Sequence, residues 1–324
     1  MEEQEFKSCY IWPNPAFPFR VFYSDKNIRV FIIENLGHNF EWLKRIKKYI
    51  KKTDYFFVIV GCFYSEHLVI EGLRMIENLS LDIRQFRIMY NDNKDKLTFD
   101  KHGFYGEIIN QNGFINENIM KPIKKNKDFN AIYVARLITL KRHELAAQVS
   151  NLALVAGDSM GTALSTYIPP HIYLNDHHAS PQEVCELINR SYCGLILSEV
   201  EGASFVSSEY LLCGIPVVST TSLGGRDFWY DEYNSLVVEP LPEAVRDAVE
   251  FFVSNPRDPE IIRNNHIKLA TEQKEKFISM FRDILSDNGI DYIDPSKYFF
   301  ANYFHKMRVS YDVNVESVFN THGL

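Results

Sequence analysis

Two carboxylates eight residues apart, Glu201 and Glu209, flank the run Gly202-Ala203-Ser204-Phe205-Val206-Ser207-Ser208, and Tyr-Leu-Leu-Cys-Gly-Ile-Pro-Val-Val follows at once. Leu195 to Ser198 reads as the end of a buried strand and Glu201 to Ala203 as a loop. Ser204 to Cys213 reads as a short helix, stopped by Gly214 at a left-handed cap with Pro216 just beyond. The start of such a helix presents backbone N–H groups and suits an anion. At about 1.5 Å of rise per residue, Glu209 falls roughly 7 to 8 Å along the axis, on the second turn. One carboxylate therefore precedes the anion site and one lies beyond it. A ligand with hydroxyls, then a diphosphate, then more hydroxyls fits that order, and a nucleotide sugar is such a ligand. Taken singly, a loop Glu and a helix Glu are ordinary surface residues. The apolar neighbours of Glu209, from Tyr210 to Cys213 and from Ile215 to Val218, argue instead that its carboxylate needs a partner.

Two cations join them. Arg136 stands at the end of an expected strand, Ala131 to Ala135, and Lys141 is expected to open a helix running to Val149. In an open α/β sheet, ligands bind outside the carboxyl ends of the strands, which puts both cations on the rim that Glu201 also faces. Two fixed cations can bind a diphosphate and stabilise the charge that grows on it when its bond to a sugar breaks. Ser222-Leu-Gly-Gly-Arg-Asp227 ends the next strand on the same rim, and a tight turn and a ligand loop are equally good readings of it. No Asp-x-Asp pair is present to hold a divalent ion between phosphates, so no metal is expected and protein cations take that role. His177-His178 has no acidic or cysteine partner at ligand spacing and reads as a pair of loop histidines.

The elements that must position these residues come from alternating patterns. Up to about residue 120, apolar runs (Val30 to Ile33, Tyr55 to Val60, Phe86 to Tyr90, Ile108 to Ile109) alternate with amphipathic stretches, Phe40 to Lys52 and Glu66 to Leu79. A parallel sheet with crossover helices is expected. Tyr10 to Tyr23 suits an edge strand or an extended lead-in. Lys121 to Lys127, with one Pro and four lysines, reads as a linker. A second alternation follows: strands Leu152 to Ala156, His171 to Leu174, Gly194 to Ser198, Val217 to Ser219 and Ser235 to Val238, with helices Pro181 to Arg190 and Pro242 to Phe252. Helix is expected again to about Asp287 and across Ser296 to Met307. The 324 residues suffice for two domains.

A net charge of −7 argues against a nucleic-acid partner. Five cysteines without C-x-x-C spacing, mostly in apolar segments, fit reduced thiols in a cytoplasmic setting. The acidic start lacks the pattern of a secretory signal, and the longest apolar run, Tyr55 to Tyr64, is half a membrane span.

Taken in order, Arg136-x4-Lys141, a strand ending in Gly157, Glu201-x7-Glu209, Cys-Gly-Ile-Pro-Val-Val and Gly224-Gly225 resemble the nucleotide-binding half of GT-B fold retaining glycosyltransferases of family GT4, the glycosyl transferases group 1. The resemblance covers about residues 128 to 255 and implies an α/β fold. It implies two Rossmann-like domains facing across a cleft, at 1–122 on the acceptor side and 128–290 on the nucleotide-sugar side. A C-terminal helical segment, 291–324, would return to the first domain. It also implies roles: Arg136 and Lys141 on the diphosphate, Glu201 on the donor sugar and Glu209 on the ribose. Gly202 and the main chain of Ser204, Phe205 and Val206 would meet phosphate or sugar, and Tyr173, Leu174 and Asn175 the base. Ala135 stands where the family usually has Gly before the Arg, and Gly202-Ala203-Ser204 where Gly-Phe-Gly is common; both leave room for backbone approach. The Gly-rich loop of the first domain is missing, with Gly37-His38-Asn39 its nearest substitute. A histidine contacting the donor near the reacting carbon is implied in that half; His67 is the first choice, with His38 and His102 as rivals.

The activity so implied is transfer of a hexose from a nucleoside diphosphate sugar, UDP foremost, to a glycan or glycolipid acceptor, as in bacterial surface polysaccharide synthesis. No cofactor is required. The alternatives are an epimerase or phosphorylase on the same scaffold, and a non-catalytic paralogue serving as an assembly partner. Phe40 to Lys52 carries six cations with Phe40, Leu43, Ile46 and Ile50 on one face. It suits peripheral contact with the inner face of a membrane bearing a lipid-linked acceptor, or a crossover helix with a solvated basic side.

Overall fold

The structure, a computed structural model, describes residues 19–34, 36, 43–44, 47–61, 65–157, 167–302 and 305–307. Gly37, His38, Asn39, Phe40, Trp42, Arg45 and Ile46 lie outside the described residues, as does the lead-in before Phe19. Contacts divide the chain into two units, Met1–Phe114 with Glu272–Leu324, and Ile115–Thr271.

In the first unit, β1 (Phe19–Ser24) pairs antiparallel with β2 (Arg29–Glu34). The strands β3 (Asp54–Ile59), β4 (Phe86–Tyr90) and β5 (Tyr105–Ile108) extend the sheet in parallel, in the order β1-β2-β3-β4-β5. The central strands are continuous apolar runs because both faces are covered. Arg29 and Asp54, both buried, lock β2 to β3 through a two-pronged pair at 2.7 and 2.6 Å. Helix α1 (Glu66–Asn78) forms as its periodicity predicts, with Val69, Gly72 and Ile76 inward. Helix α2 (Asn93–Asp100) has no such signature: only Asp95 and Phe99 are buried, and its start is set by Asp92, whose carboxylate accepts from the Asp95 amide. The helix expected to reach Lys52 does not. After Leu43 and Lys44 the chain makes a 3-10 turn, Lys47–Tyr49, and Lys51 donates its amide to Asp54 at 2.6 Å. Leu43 is buried in the first core and Tyr49 and Ile50 pack against it, while Lys44, Lys47, Lys51 and Lys52 stay exposed. Leu43, Tyr49 and Ile50 are thus engaged by the core.

The second unit holds β6 (Phe129–Val134), β7 (Leu152–Val155), β8 (Tyr173–Leu174), β9 (Ser191–Ile196), β10 (Val217–Thr220) and β11 (Ser235–Val238). All pair in parallel, in the order β11-β10-β9-β6-β7-β8. The chain winds outward from β6 to β8, returns to β9 on the other side of β6, and continues to β11. The order reverses between β6 and β9, the place where open α/β sheets bind ligands. Around the sheet lie α3 (Pro181–Asn189), α4 (Phe205–Leu212), α5 (Pro242–Ser254) and α6 (Pro259–Asp287). A capping box from Ser180 and Glu183 starts α3, and Gly214, at φ +75°, follows the end of α4 as the sequence requires.

The units part elsewhere than at the expected boundaries of 122 and 290. Ile115 and Met120 are buried in the second core, and Arg263 donates to the carbonyls of Glu117, Met120 and Leu212 at 2.8, 2.8 and 2.6 Å. The lysine-rich linker is pinned as well: Lys127 bonds the carbonyls of Asn189 and Ser191, and the Ile123 amide bonds Asn189. At the other end, α6 changes unit in mid-helix. Its Phe277, Ile278, Phe281, Ile284 and Leu285 share a core with Phe22, Phe57 and Phe114. Helix α7 (Pro295–Asn302) joins that core through Phe299, shorter than the predicted run to Met307, and Lys306 in the 3-10 turn after it has φ +59°.

Candidate functional site

Lys141, Glu201 and the start of the helix that carries Glu209 meet near the switch point between β6 and β9. Tyr210 docks α4 there. Its hydroxyl accepts from the Val134 amide at 2.9 Å and donates to the Ile132 carbonyl at 3.2 Å, and its ring covers Gly194, where a Cβ would lie 2.1 Å from the ring. Only glycine at 194 lets the ring reach β6 across β9. Docked in this way, α4 brings its N-terminus, with Ser204 at φ +50°, to the carboxyl end of β9, and buries Glu209 on its second turn.

Glu201 sits in the loop after β9 and is held from several sides. Lys141 donates to its Oε1, the Ser198 hydroxyl donates to Oε2 at 2.8 Å, and the Arg226 guanidinium lies 4.0 Å from Oε2. Burial alone would raise this carboxyl; the charge and hydrogen bond of Lys141, the Ser198 hydroxyl and the charge of Arg226 outweigh it. The net effect holds the carboxyl below the usual glutamate range. The backbone is fixed too: Glu201 N–H donates to the Leu223 carbonyl at 2.9 Å, and Val200 bridges Leu223. Gly224, at φ +119°, passes so close that a Cβ there would lie 2.1 Å from the Glu201 carbonyl oxygen. The Gly-Gly turn is therefore shaped to grip Glu201.

Arg136 leans over Gly157, with its Cγ 3.7 Å from where a Cβ would be, and feels the Glu201 charge; burial nevertheless lowers its pKa from the ordinary arginine value. Lys141 does not open an α-helix. It closes a 3-10 turn, Thr139–Lys141, and Arg142 breaks the path at φ +48° before a second turn, His143–Ala146. The break is held by side chains that the apolar pattern does not reveal. Arg142 donates to the Leu197 carbonyl and the Thr220 hydroxyl, both at 2.6 Å, and Tyr133 donates its hydroxyl to the Lys141 carbonyl. His143 is buried against the Tyr133 ring, centroids 4.7 Å apart, and burial, aided by the nearby Lys141 charge, pushes its pKa down to about 4.

The remaining expected residues are placed differently. Gly202 is buried in the Glu201 loop, and Phe205 and Val206, in the first turn of α4, are half-buried against the core. Asn175 lies on the rim, but its amide is spent on the backbone: Oδ1 accepts from Ala156 N–H at 2.7 Å, and Nδ2 donates to the Ala156 and His177 carbonyls. Tyr173 packs on Phe129, at the amino end of β6, and Leu174 packs into the opposite core. Neither side chain joins the Lys141–Glu201 cluster. His67 belongs to the first unit, where it is exposed and pairs with Glu71 at 3.2 Å; its rival His102 pairs with Glu66 at 3.2 Å. His177 bridges Asp176 and Glu183, and no group of ligands for a metal ion occurs among the described residues. Sequence reading missed Arg142 and Arg226, although both carry a signal: one directly follows Lys141, the other follows the Gly-Gly turn.

Residues 174–269 match the family model of the glycosyl transferases group 1. Compared by sequence with curated proteins, the chain matches none. Among solved structures it is similar to Anabaena HepE in complex with UDP, at 12% identity and TM-score 0.51, covering 75% of this chain and 74% of that one. It is also similar to sucrose-phosphate synthase from Thermosynechococcus elongatus, at 12% identity and TM-score 0.52 over 79% and 74% of the two chains. The α,α-trehalose 6-phosphate synthase from Burkholderia multivorans aligns at 13% identity and TM-score 0.51 over 79% and 75%. The chain thus has the GT-B fold, and residues 174–269 of its second unit match the glycosyl transferases group 1.

Proposed function

We propose that the protein transfers a hexose from a nucleoside diphosphate sugar, with UDP as the nucleotide, to a hydroxyl of a glycan or glycolipid acceptor, with retention at the anomeric carbon. The observation that carries this reading is the Lys141–Glu201 pair, with Arg136 beside it, at the switch point of the second sheet and at the start of the helix that buries Glu209. Similar chains solved with UDP and with UDP-glucose support the choice of nucleotide. In this reading Arg136 and Lys141 take the diphosphate, ionised Glu201 accepts hydrogen bonds from the sugar hydroxyls, and Glu209 takes the ribose. The amides of Phe205 and Val206 face the phosphates, while the loop that Asn175 shapes borders the base. The bond from the anomeric carbon to the diphosphate breaks on the face where the acceptor oxygen bonds. The acceptor proton passes to the departing phosphate oxygen, so no protein nucleophile is needed. Arg136 and Lys141 stabilise the charge on the leaving group. These protein cations make the reaction independent of divalent metal, and His67 is proposed as the first unit's contact to the donor sugar. Hydrolysis of UDP-, GDP- and ADP-hexoses, with and without EDTA, tests the reading. UDP release insensitive to EDTA and lost in Lys141→Ala is expected; release unaffected by Lys141→Ala would overturn it.

A further inference from the structure

Arg226 lies behind Glu201 and reaches no solvent. Its Nη1 donates to the Ser198 carbonyl at 2.7 Å and its Nη2 to the Thr220 carbonyl, so the guanidinium is fixed across the ends of β9 and β10. The same Ser198 donates its hydroxyl to Glu201, and Arg226 stands 4.0 Å from that carboxylate. Lys141, on the other oxygen of Glu201, belongs to a short turn at the rim and has a single-point charge on a flexible stem. If Lys141 is to engage a diphosphate, it must share or give up Glu201. Without Arg226 behind it, this half-buried carboxylate would have a weaker claim on any other cation and would hold the lysine back.

We propose that Arg226 is a positioning residue that keeps a permanent positive charge on Glu201, so that Lys141 can pass from the carboxylate to the phosphates of a nucleoside diphosphate. This rests on the donor-site reading above. Arg226 touches no ligand in it; it acts through Glu201 and Ser198. The other charges around the carboxylate do not replace it. Arg136 is itself assigned to the diphosphate, Arg142 is committed to Leu197 and Thr220, and Asp227, 3.5 Å from Arg226 Nε, is negative.

Calorimetric titration of UDP into wild type, Arg226→Gln, Glu201→Gln and the double variant, with thermal unfolding of each, tests the proposal. Arg226→Gln should weaken UDP binding by about tenfold, because Glu201 then retains Lys141. Glu201→Gln should bind UDP at least as tightly as wild type. Adding Glu201→Gln to Arg226→Gln should restore the affinity without restoring the unfolding temperature, which a merely structural role for Arg226 does not allow. A folded Arg226→Gln with wild-type affinity, or a double variant as weak as Arg226→Gln, would overturn the proposal. Should Arg226→Gln not fold, Arg226→Lys carries the same test: a loss of about threefold, reversed by Glu201→Gln, supports it, and an irreversible loss sinks it. No binding of UDP, GDP or ADP by wild type would remove the donor-site reading itself, and this proposal with it.

Discussion

Lys141, Glu201 and Arg136 carry the charge of the proposed reaction, and Lys141 and Glu209 have distinct expected losses. Lys141→Ala should lower turnover by about a hundred- to a thousandfold, since it removes a cation aimed at charge that develops in the transition state. Glu209→Ala should mainly weaken donor binding, a rise in KM with kcat largely kept. His143 offers a test of pH dependence. Its folded pKa of about 4 lies below the ordinary histidine value near 6.5, so the unfolded chain takes up a proton that the native state refuses. Its effect on stability is absent above pH 6.5, grows as pH falls, and is complete below about pH 4. Wild type should lose up to about 3 kcal/mol more than His143→Leu over that window, measured by urea unfolding at several pH values. The placing of both carboxylates, Arg136 and Lys141 about the carboxyl ends of the second sheet and the start of α4 was legible, because it follows from the strand and helix pattern around them. The roles of Arg142, Arg226 and Ser198 were not: the two arginines are marked only by following Lys141 and the Gly-Gly turn, and their bonds to carbonyls and hydroxyls across strand ends are not written in that local sequence.

Loops and helix ends, more than strands, decide where these charges stand. Gly224→Ala should abolish the site's geometry, because it combines φ +119° with a Cβ placed 2.1 Å from the Glu201 carbonyl oxygen. A near-complete loss of donor hydrolysis with the second core still folded is the expected result, checked by activity alongside circular dichroism. Gly194→Ala should displace Tyr210 and cost about 1 to 3 kcal/mol, read by urea unfolding, with weaker UDP binding because α4 shifts. The alternation of apolar runs and amphipathic stretches placed ten of the eleven strands, and all of the helices that press a regular apolar face on a core. It missed α2, whose buried residues are too few to make a period, and it read one α-helix where Arg142 splits the chain into two 3-10 turns. In both cases side-chain hydrogen bonds, invisible to periodicity, override the pattern.

Each of the two units has its own sheet and cores, and the chain passes between them twice, after Phe114 and after Thr271. The fold class was legible from the repeated βα alternation. The boundaries were not, because the lysine-rich segment looks like a linker by composition while Asn189 and Arg263 bind the chain around it to the second unit. The late half of α6 changes core without any break in helical sequence. Since the proposed contacts to UDP all come from the second unit, hydrogen exchange with UDP added should slow chiefly at 134–142, 198–209 and 222–227. The measurement that bears most directly on the central claim is calorimetric titration of UDP into the intact protein and its Lys141→Ala variant. The account predicts saturable binding to wild type, weakened by at least about tenfold in the variant. Equal binding to both, or none to wild type, would contradict it.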